Sequence, residues 1–218
     1  MIRLLFIAVL ISFSFLGQSQ GTRFNAGIRG GVAGTQIAGD GYKGFDKAGV
    51  IAGPYVSTQF TDKFGAKLEM LYIQKGSWDP ADPEKGKFES YRINLSYIEL
   101  PVMATYKLGK FNWETGVSFG TLLSSSQEDE NGPISEQMAF LEFNDFELAV
   151  NLGLTYSLSD RFAVNVRYSR SFLPIANEVI FRPRFGGFFG GSYNTVAQFT
   201  INYEFLKSDR APVDSATY

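Results

Sequence analysis

The segment Phe146-Glu147-Leu148-Ala149-Val150-Asn151-Leu152-Gly153-Leu154-Thr155-Tyr156-Ser157-Leu158 puts an apolar side chain at every second position. Phe146, Leu148, Val150, Leu152, Leu154, Tyr156 and Leu158 share one parity, while Glu147, Asn151 and Thr155 share the other. A period of two belongs to a β-strand, whose successive side chains leave opposite faces. The pattern recurs at 23–35, 48–60, 64–75, 91–107, 111–122, 162–171 and 193–205. Eight such segments predict an all-β fold, an eight-stranded antiparallel up-and-down sheet that closes into a barrel.

The connections alternate in length. Thr61-Asp62-Lys63, residues 107–110 and Ser159-Asp160-Arg161 are short, whereas 36–47, 76–90, 123–145 and 172–192 are long and polar. Short turns on one rim and long loops on the other are the layout of a transmembrane barrel, with periplasmic turns and extracellular loops. Phe60 with Phe64, Tyr106 with Phe111, and Leu158 with Phe162 pair like faces across the turns. In the fourth segment Ile93 and Leu95 lie on the opposite parity from Ile98 and Leu100, so a β-bulge near Ser96-Tyr97 is expected to switch the apolar face.

Alternation alone also fits a lipocalin-like barrel with its apolar face inward. The polar parity decides against it: it is mostly Gly, Asn, Ser and Thr with scattered charges, which suits a narrow filled lumen better than a solvated surface. Aromatics near the segment ends (Phe64, Tyr72, Tyr106, Phe111, Phe119, Phe146, Tyr156, Phe162, Tyr168, Tyr203, Phe205) resemble two interfacial girdles.

Composition narrows the chemistry. The 218 residues carry 20 Lys plus Arg against 22 Asp plus Glu, with 23 Gly and 21 Phe, and no His or Cys. That balance gives no nucleic-acid footprint, and it removes thiolate, Ser-His and imidazole-metal chemistry. Met1-Ile2-Arg3, the apolar run Leu4 to Leu16 and Gly17-Gln18-Ser19 read as a secretory signal peptide cut after Ser19. The expected organisation is a signal at 1–19, a barrel at 20–205 and a polar periplasmic tail at 206–218. The last strand, Phe199-x-Ile201-x-Tyr203-x-Phe205, looks like the C-terminal assembly signal of outer-membrane proteins, followed here by that tail.

Three blocks carry a resemblance: Gly27-x-Arg29-Gly30-Gly31, Glu69-x-x-Tyr72-x-Gln74-x-Gly76, and Tyr97-Ile98-Glu99-Leu100-Pro101 with Tyr106. The mature chain resembles the PorT-like outer-membrane β-barrel proteins. The resemblance implies an eight-stranded barrel in the outer membrane and, through one founding member, an association with type IX secretion.

On this threading the lumen receives Arg29, Lys67, Glu69, Glu99, Glu114, Glu147 and Arg167, with Glu204 and Arg23 on the same parities of the last and first strands. Opposite charges in so narrow a space are expected to pair as a structural plug rather than line an ion path. Glu128-Asp129-Glu130 in the third loop, and Asp79, Asp82 and Glu84 in the second, read as solvated acidic surface, without the ligand spacing of a calcium loop. The fourth loop gathers Phe181, Arg182, Arg184, Phe185, Phe188 and Phe189 among glycines, a composition found at protein contacts. The expected role is non-enzymatic: a structural or interaction subunit of an envelope complex, with no cofactor. Its partners would be outer-membrane lipid, the assembly machinery and other envelope proteins. The alternative is an accessory of outer-membrane transport or protein secretion, and a carboxylate-only enzyme ranks third.

Overall fold

The computed structural model describes residues 24–38, 44–86, 88–135, 139, 141–176 and 191–207. They form strands β1 (Phe24–Ala38), β2 (Lys47–Gln59), β3 (Phe64–Glu69), β4 (Leu71–Asp79), β5 (Tyr91–Leu108), β6 (Phe111–Asp129), β7 (Gly132–Pro133), β8 (Phe146–Ser157), β9 (Phe162–Ser171) and β10 (Tyr193–Leu206). Each pairs antiparallel with its neighbour, and β10 pairs with β1 from Ala26↔Leu206 to Ala38↔Tyr193, closing the ring. Because β3 and β4 are halves of one wall strand and β7 is a stub on β6, the barrel has eight strands.

Several boundaries differ from the expectation, each for a local reason. Segment 64–75 is interrupted at Met70, opposite Pro54 of β2. The register is unbroken across it, from Tyr55↔Glu69 to Ala52↔Tyr72. Met70 N–H donates to the Pro54 carbonyl at 3.0 Å, but proline has no N–H to return. β1, β4 and β6 run past the sequence-predicted ends, so Asp79, Glu128 and Asp129 are strand residues rather than loop residues. Leu206 completes β10 and so belongs to the barrel, not the tail.

The bulge lies between Ser96 and Tyr97 of the β5–β6 ladder, with Ser96↔Ser124 followed by Tyr97↔Leu122. The extra residue is therefore Leu123 of β6, and it is β6 that changes parity. β5 keeps Tyr91, Ile93, Leu95, Tyr97, Glu99, Pro101 and Met103 all inward without a break. What changes along β5 is not the direction of the side chains but their chemistry: polar inside and apolar outside, as at Glu99 and Val102, gives way to apolar inside and polar outside, as at Leu95 and Asn94.

The barrel is accordingly built in two storeys. Toward the short turns, Ile28, Val56, Val102, Val117, Leu152, Val166 and Ile201 face outward and stand exposed, while the inside is polar. Toward the long loops the interior is apolar: Ile37, Ile51, Leu71, Ile73, Ile93, Leu95, Tyr97 and Val196 form one buried cluster. There the outer wall of β5 and β6 shows Arg92, Asn94, Ser96, Ser126 and Glu128. The expectation of a wholly polar lumen fails in this upper storey, because the strands outrun the apolar outer band and, standing in water, need a conventional core.

Connecting segments complete that core. Leu141 and Ile175, from the third and fourth loops, are buried in it. Gln127 clamps the Leu141 backbone, donating Nε2–H to its carbonyl at 2.8 Å and accepting its N–H at 3.3 Å. Asn144 N–H donates to the Ile175 carbonyl at 2.7 Å, tying the two loops together. At the opposite rim, Phe64–Tyr106, Phe111–Tyr156 and Phe162–Tyr203 form tilted ring pairs with centroids 4.9–5.0 Å apart. Each pair straddles two strands, giving one aromatic girdle.

Candidate functional site: the charged interior

Strand alternation delivers the inward side chains, and inward glycines make room for the large ones. A Cβ on Gly27 would stand 2.5 Å from the Tyr55 ring and from the Tyr203 carbonyl, so Tyr55 occupies the volume that the missing side chain leaves. Opposite the upper carboxylates, a Cβ on Gly120 would meet Glu147 Cβ at 3.4 Å and Glu99 Cγ at 3.5 Å.

Within this space the buried charges form two clusters. In the lower one Glu69 is the hub. Arg29 Nη1 donates to its Oε1 and Oε2 at 2.9 and 3.0 Å, and Arg167 donates through Nη1 and Nη2 at 2.7 and 2.9 Å. Arg167 Nη2 also reaches Glu114 Oε2 at 2.7 Å, and Lys67 Nζ is bonded to Glu114 Oε1. Thr155 Oγ1 and Asn165 Nδ2 donate to Glu114 at 2.7 and 3.2 Å, while Arg29 Nη2 reaches Asn165 Oδ1 and Thr200 Oγ1, each at 2.9 Å. Three cations face two carboxylates, a net of +1.

The upper cluster inverts that balance. Lys75 Nζ pairs with Glu99 and donates to both oxygens of Glu147 at 3.0 Å. Ser171 Oγ and Asn194 Nδ2 complete Glu147 at 2.6 and 3.0 Å. One cation faces two carboxyl groups, a net of −1 when both are ionised, and with all eight groups ionised the charges cancel only when both clusters are counted together. Such pairing is what permits ionised groups in a water-poor interior.

All seven residues named as lumen candidates therefore lie inside: Arg29, Lys67, Glu69, Glu114 and Arg167 in the lower cluster, Glu99 and Glu147 in the upper. Sequence reasoning missed Lys75, although it shares the parity of Lys67 and Glu69 and ended the segment in which they were read. Glu204 is partly buried near the turn-side mouth rather than in either cluster. Phe199, Ile201 and Phe205 face outward, about half exposed, on β10, with Tyr203 partly buried against Phe162. Phe181, Arg182, Arg184, Phe185, Phe188, Phe189 and Arg23 lie outside the described residues.

Below the lower cluster the barrel opens at the turn rim into a vestibule of about 290 Å³. Lys67, Glu114 and Thr155 form its floor; Tyr55, Thr105, Asn112 and Asn202 contribute to its walls; Lys107, Lys110, Arg161 and Glu204 stand at its mouth. Toward the long loops the interior around the upper cluster is filled by the apolar core, into which Leu141 and Ile175 pack.

Residues 17–177 match the sequence family described as the outer membrane protein beta-barrel domain. Among solved structures, the Neisserial surface protein A shares 10% identity at a TM-score of 0.53, over 85% of this chain and 100% of that one. Ail, the attachment invasion locus protein of Yersinia pestis, shares 13% at 0.48, over 83% and 98%. OprG of Pseudomonas aeruginosa shares 16% at 0.40, over 85% and 98%. No curated protein sequence matches the chain.

Proposed function

Since the chain belongs to the family of outer membrane protein beta-barrel domains, we propose that it serves the envelope as a structural or interaction subunit and not as a pore. The observation that carries this reading is the filled interior: two ionic clusters capped by the apolar core into which Leu141 and Ile175 pack. An eight-stranded ring is only wide enough for its own side chains, so function passes to the surfaces. Those surfaces are the lipid-facing band, the tall polar wall of β5 and β6 and the vestibule at the turns, with Phe185, Phe188 and Phe189 of the fourth loop proposed from their sequence as further contacts. In the proposed orientation the long loops are extracellular and both termini are periplasmic. The partners are outer-membrane lipid, the assembly machinery and other envelope proteins.

A second reading, an accessory of protein secretion like that associated with PorT-like barrels, is favoured by where the three resembling blocks meet. Arg29 of the first block is bonded to Glu69 of the second at 2.9 Å, and Glu99 of the third lies in the cluster above them, paired with Lys75. Two measurements test the pair. Co-purification in mild detergent should yield a stoichiometric envelope complex, and the purified barrel should give no porin-sized current in planar bilayers. Stable large currents, or a barrel that purifies alone at native expression levels, would overturn the interaction reading. A complex containing secretion components would promote the second.

A further inference from the structure

We propose that the turn-side vestibule is a binding site for an acidic peptide segment of a periplasmic partner. The proposal deepens the interaction reading by naming the chemistry that the partner presents.

The charge at the mouth is unbalanced. Lys67 is paired with Glu114 on the floor and Lys207 with Asp160 at 3.5 Å. That leaves Lys107, Lys110 and Arg161, none of which has a salt bridge among the described residues, against the single carboxylate of Glu204: three minus one, a surplus of +2. A basic opening over a recessed cavity concentrates anions.

The walls ask for more than charge. Among the described residues, Thr105 Oγ1, Asn112 Oδ1 and Asn202 Oδ1 are buried without a hydrogen-bond partner, and all three residues line the vestibule. Thr105 and Asn202 are 3% and 4% exposed. Leaving such groups unpaired is costly; the oxygens have no surface in the vestibule as they stand, and a turn of either carboxamide about its last bond would bring its acceptor to an N–H donor there. A site for inorganic phosphate would consist of donors alone. A peptide brings backbone N–H groups for Asn112 and Asn202 and carboxylates for Lys107, Lys110 and Arg161. The volume, equivalent to about ten waters at ~30 Å³ each, admits a few residues of extended chain and no folded domain. The ligand is therefore the projecting acidic tip or end of a larger protein.

The test uses the full chain in lipid nanodiscs and fluorescence anisotropy of two labelled probes, the hexapeptide Gly-Asp-Gly-Glu-Gly-Asp and its counterpart with Lys at each acidic position. The acidic probe should bind saturably at one site per barrel and the basic probe should not. Lys110→Glu and Arg161→Glu should each weaken binding at least tenfold. Asn202→Leu, which leaves the charge untouched, should weaken it by a similar factor, with heat-modifiable migration confirming that each variant is folded. Loss with the charge reversals but not with Asn202→Leu would reduce the mouth to a diffuse basic rim and overturn the site. So would equal binding of both probes, saturation by inorganic phosphate at the same concentration, or no binding. If the peptide fails to bind while an envelope complex still co-purifies, the vestibule proposal falls and the interaction reading stands.

Discussion

Neutralising Glu69 tests whether the lower cluster holds the barrel together. The Glu69→Gln variant is nearly isosteric, but it withdraws the carboxylate that receives four guanidinium contacts at 2.7–3.0 Å from Arg29 and Arg167. The cluster then holds three cations against one anion, and its net charge rises from +1 to +2. Four charge-assisted bonds at about 1.5–3 kcal/mol each would sum to roughly 6–12 kcal/mol. That sum overstates the loss, because Arg29 keeps Asn165 and Thr200, and Arg167 keeps Glu114. The expected cost is that of breaking a buried ion pair by removing one partner, about 3–5 kcal/mol. The matched control is Glu128→Gln: its pair with Arg92 spans 4.0 Å with both side chains over a third exposed, so the cost should be about 0–1 kcal/mol. Adding Arg29→Met to Glu69→Gln returns the cluster to two cations and one anion and should recover at least ~1 kcal/mol, as removal of both partners is milder than removal of one. The assay is urea unfolding of the barrel in lipid vesicles, followed by Trp78 and Trp113 fluorescence and by gel migration before and after boiling. If Glu69→Gln costs no more than Glu128→Gln, the ionic interior is a passenger and the reasoning fails.

Three further outcomes are expected. Cysteine labelling is clean because the chain has no Cys: a lipid-phase quencher should reach a fluorophore at Leu152→Cys, where the native side chain is 59% exposed on the outer wall, and not at Asn151→Cys, where it is 4% exposed; quenching at position 151 alone, or at neither, would invert the faces. Gly27→Ala should prevent assembly, since its Cβ would collide with the Tyr55 ring and the Tyr203 carbonyl, whereas Gly120→Ala meets only ordinary contacts and should migrate as a folded barrel; equal yields would show that Tyr55 can move aside. Gln127→Ala unclamps Leu141 and should raise amide exchange in the third loop, with the migration of the barrel unchanged; unaltered exchange would show that apolar packing alone holds the lid.

Much of this barrel could be read from alternation. The parities of β8, β9 and β10 and the inward set Arg29, Lys67, Glu69, Glu99, Glu114, Glu147 and Arg167 follow from counting by twos. What escaped is instructive. Period-two reasoning reports which residues share a face, but the medium on each side is not written in the period. Ile93 and Leu95 therefore suggested a strand that turns over, when β5 keeps its direction and passes from lipid into water. The placing of Leu123 as the extra residue on β6 depends on pairing between strands, which a single sequence does not record. Lys75 was legible in principle, yet its meaning rests on Glu99 and Glu147 from two distant segments. The turn-side vestibule had no sequence signal, because Asn112, Thr105 and Asn202 look like ordinary inward polar residues until closure brings them around one opening.

The seam between β1 and β10 bears on the order in which the molecule is made. Every other wall contact joins strands that are neighbours in the chain, so the sheet can grow hairpin by hairpin; β1 must wait for the whole sequence. The entropy of that wait is modest, since each doubling of loop length adds only about 0.6 kcal/mol. The electrostatic constraint is more severe. Arg29 on β1 needs Glu69 on β3, Asn165 on β9 and Thr200 on β10, and Arg167 on β9 needs Glu69 across the bore. A sheet still open along the seam would turn these charges toward lipid without their full set of partners. Burying the charges and joining the two ends of the barrel are thus one event, and a partly inserted, unclosed sheet is not a resting place on the way.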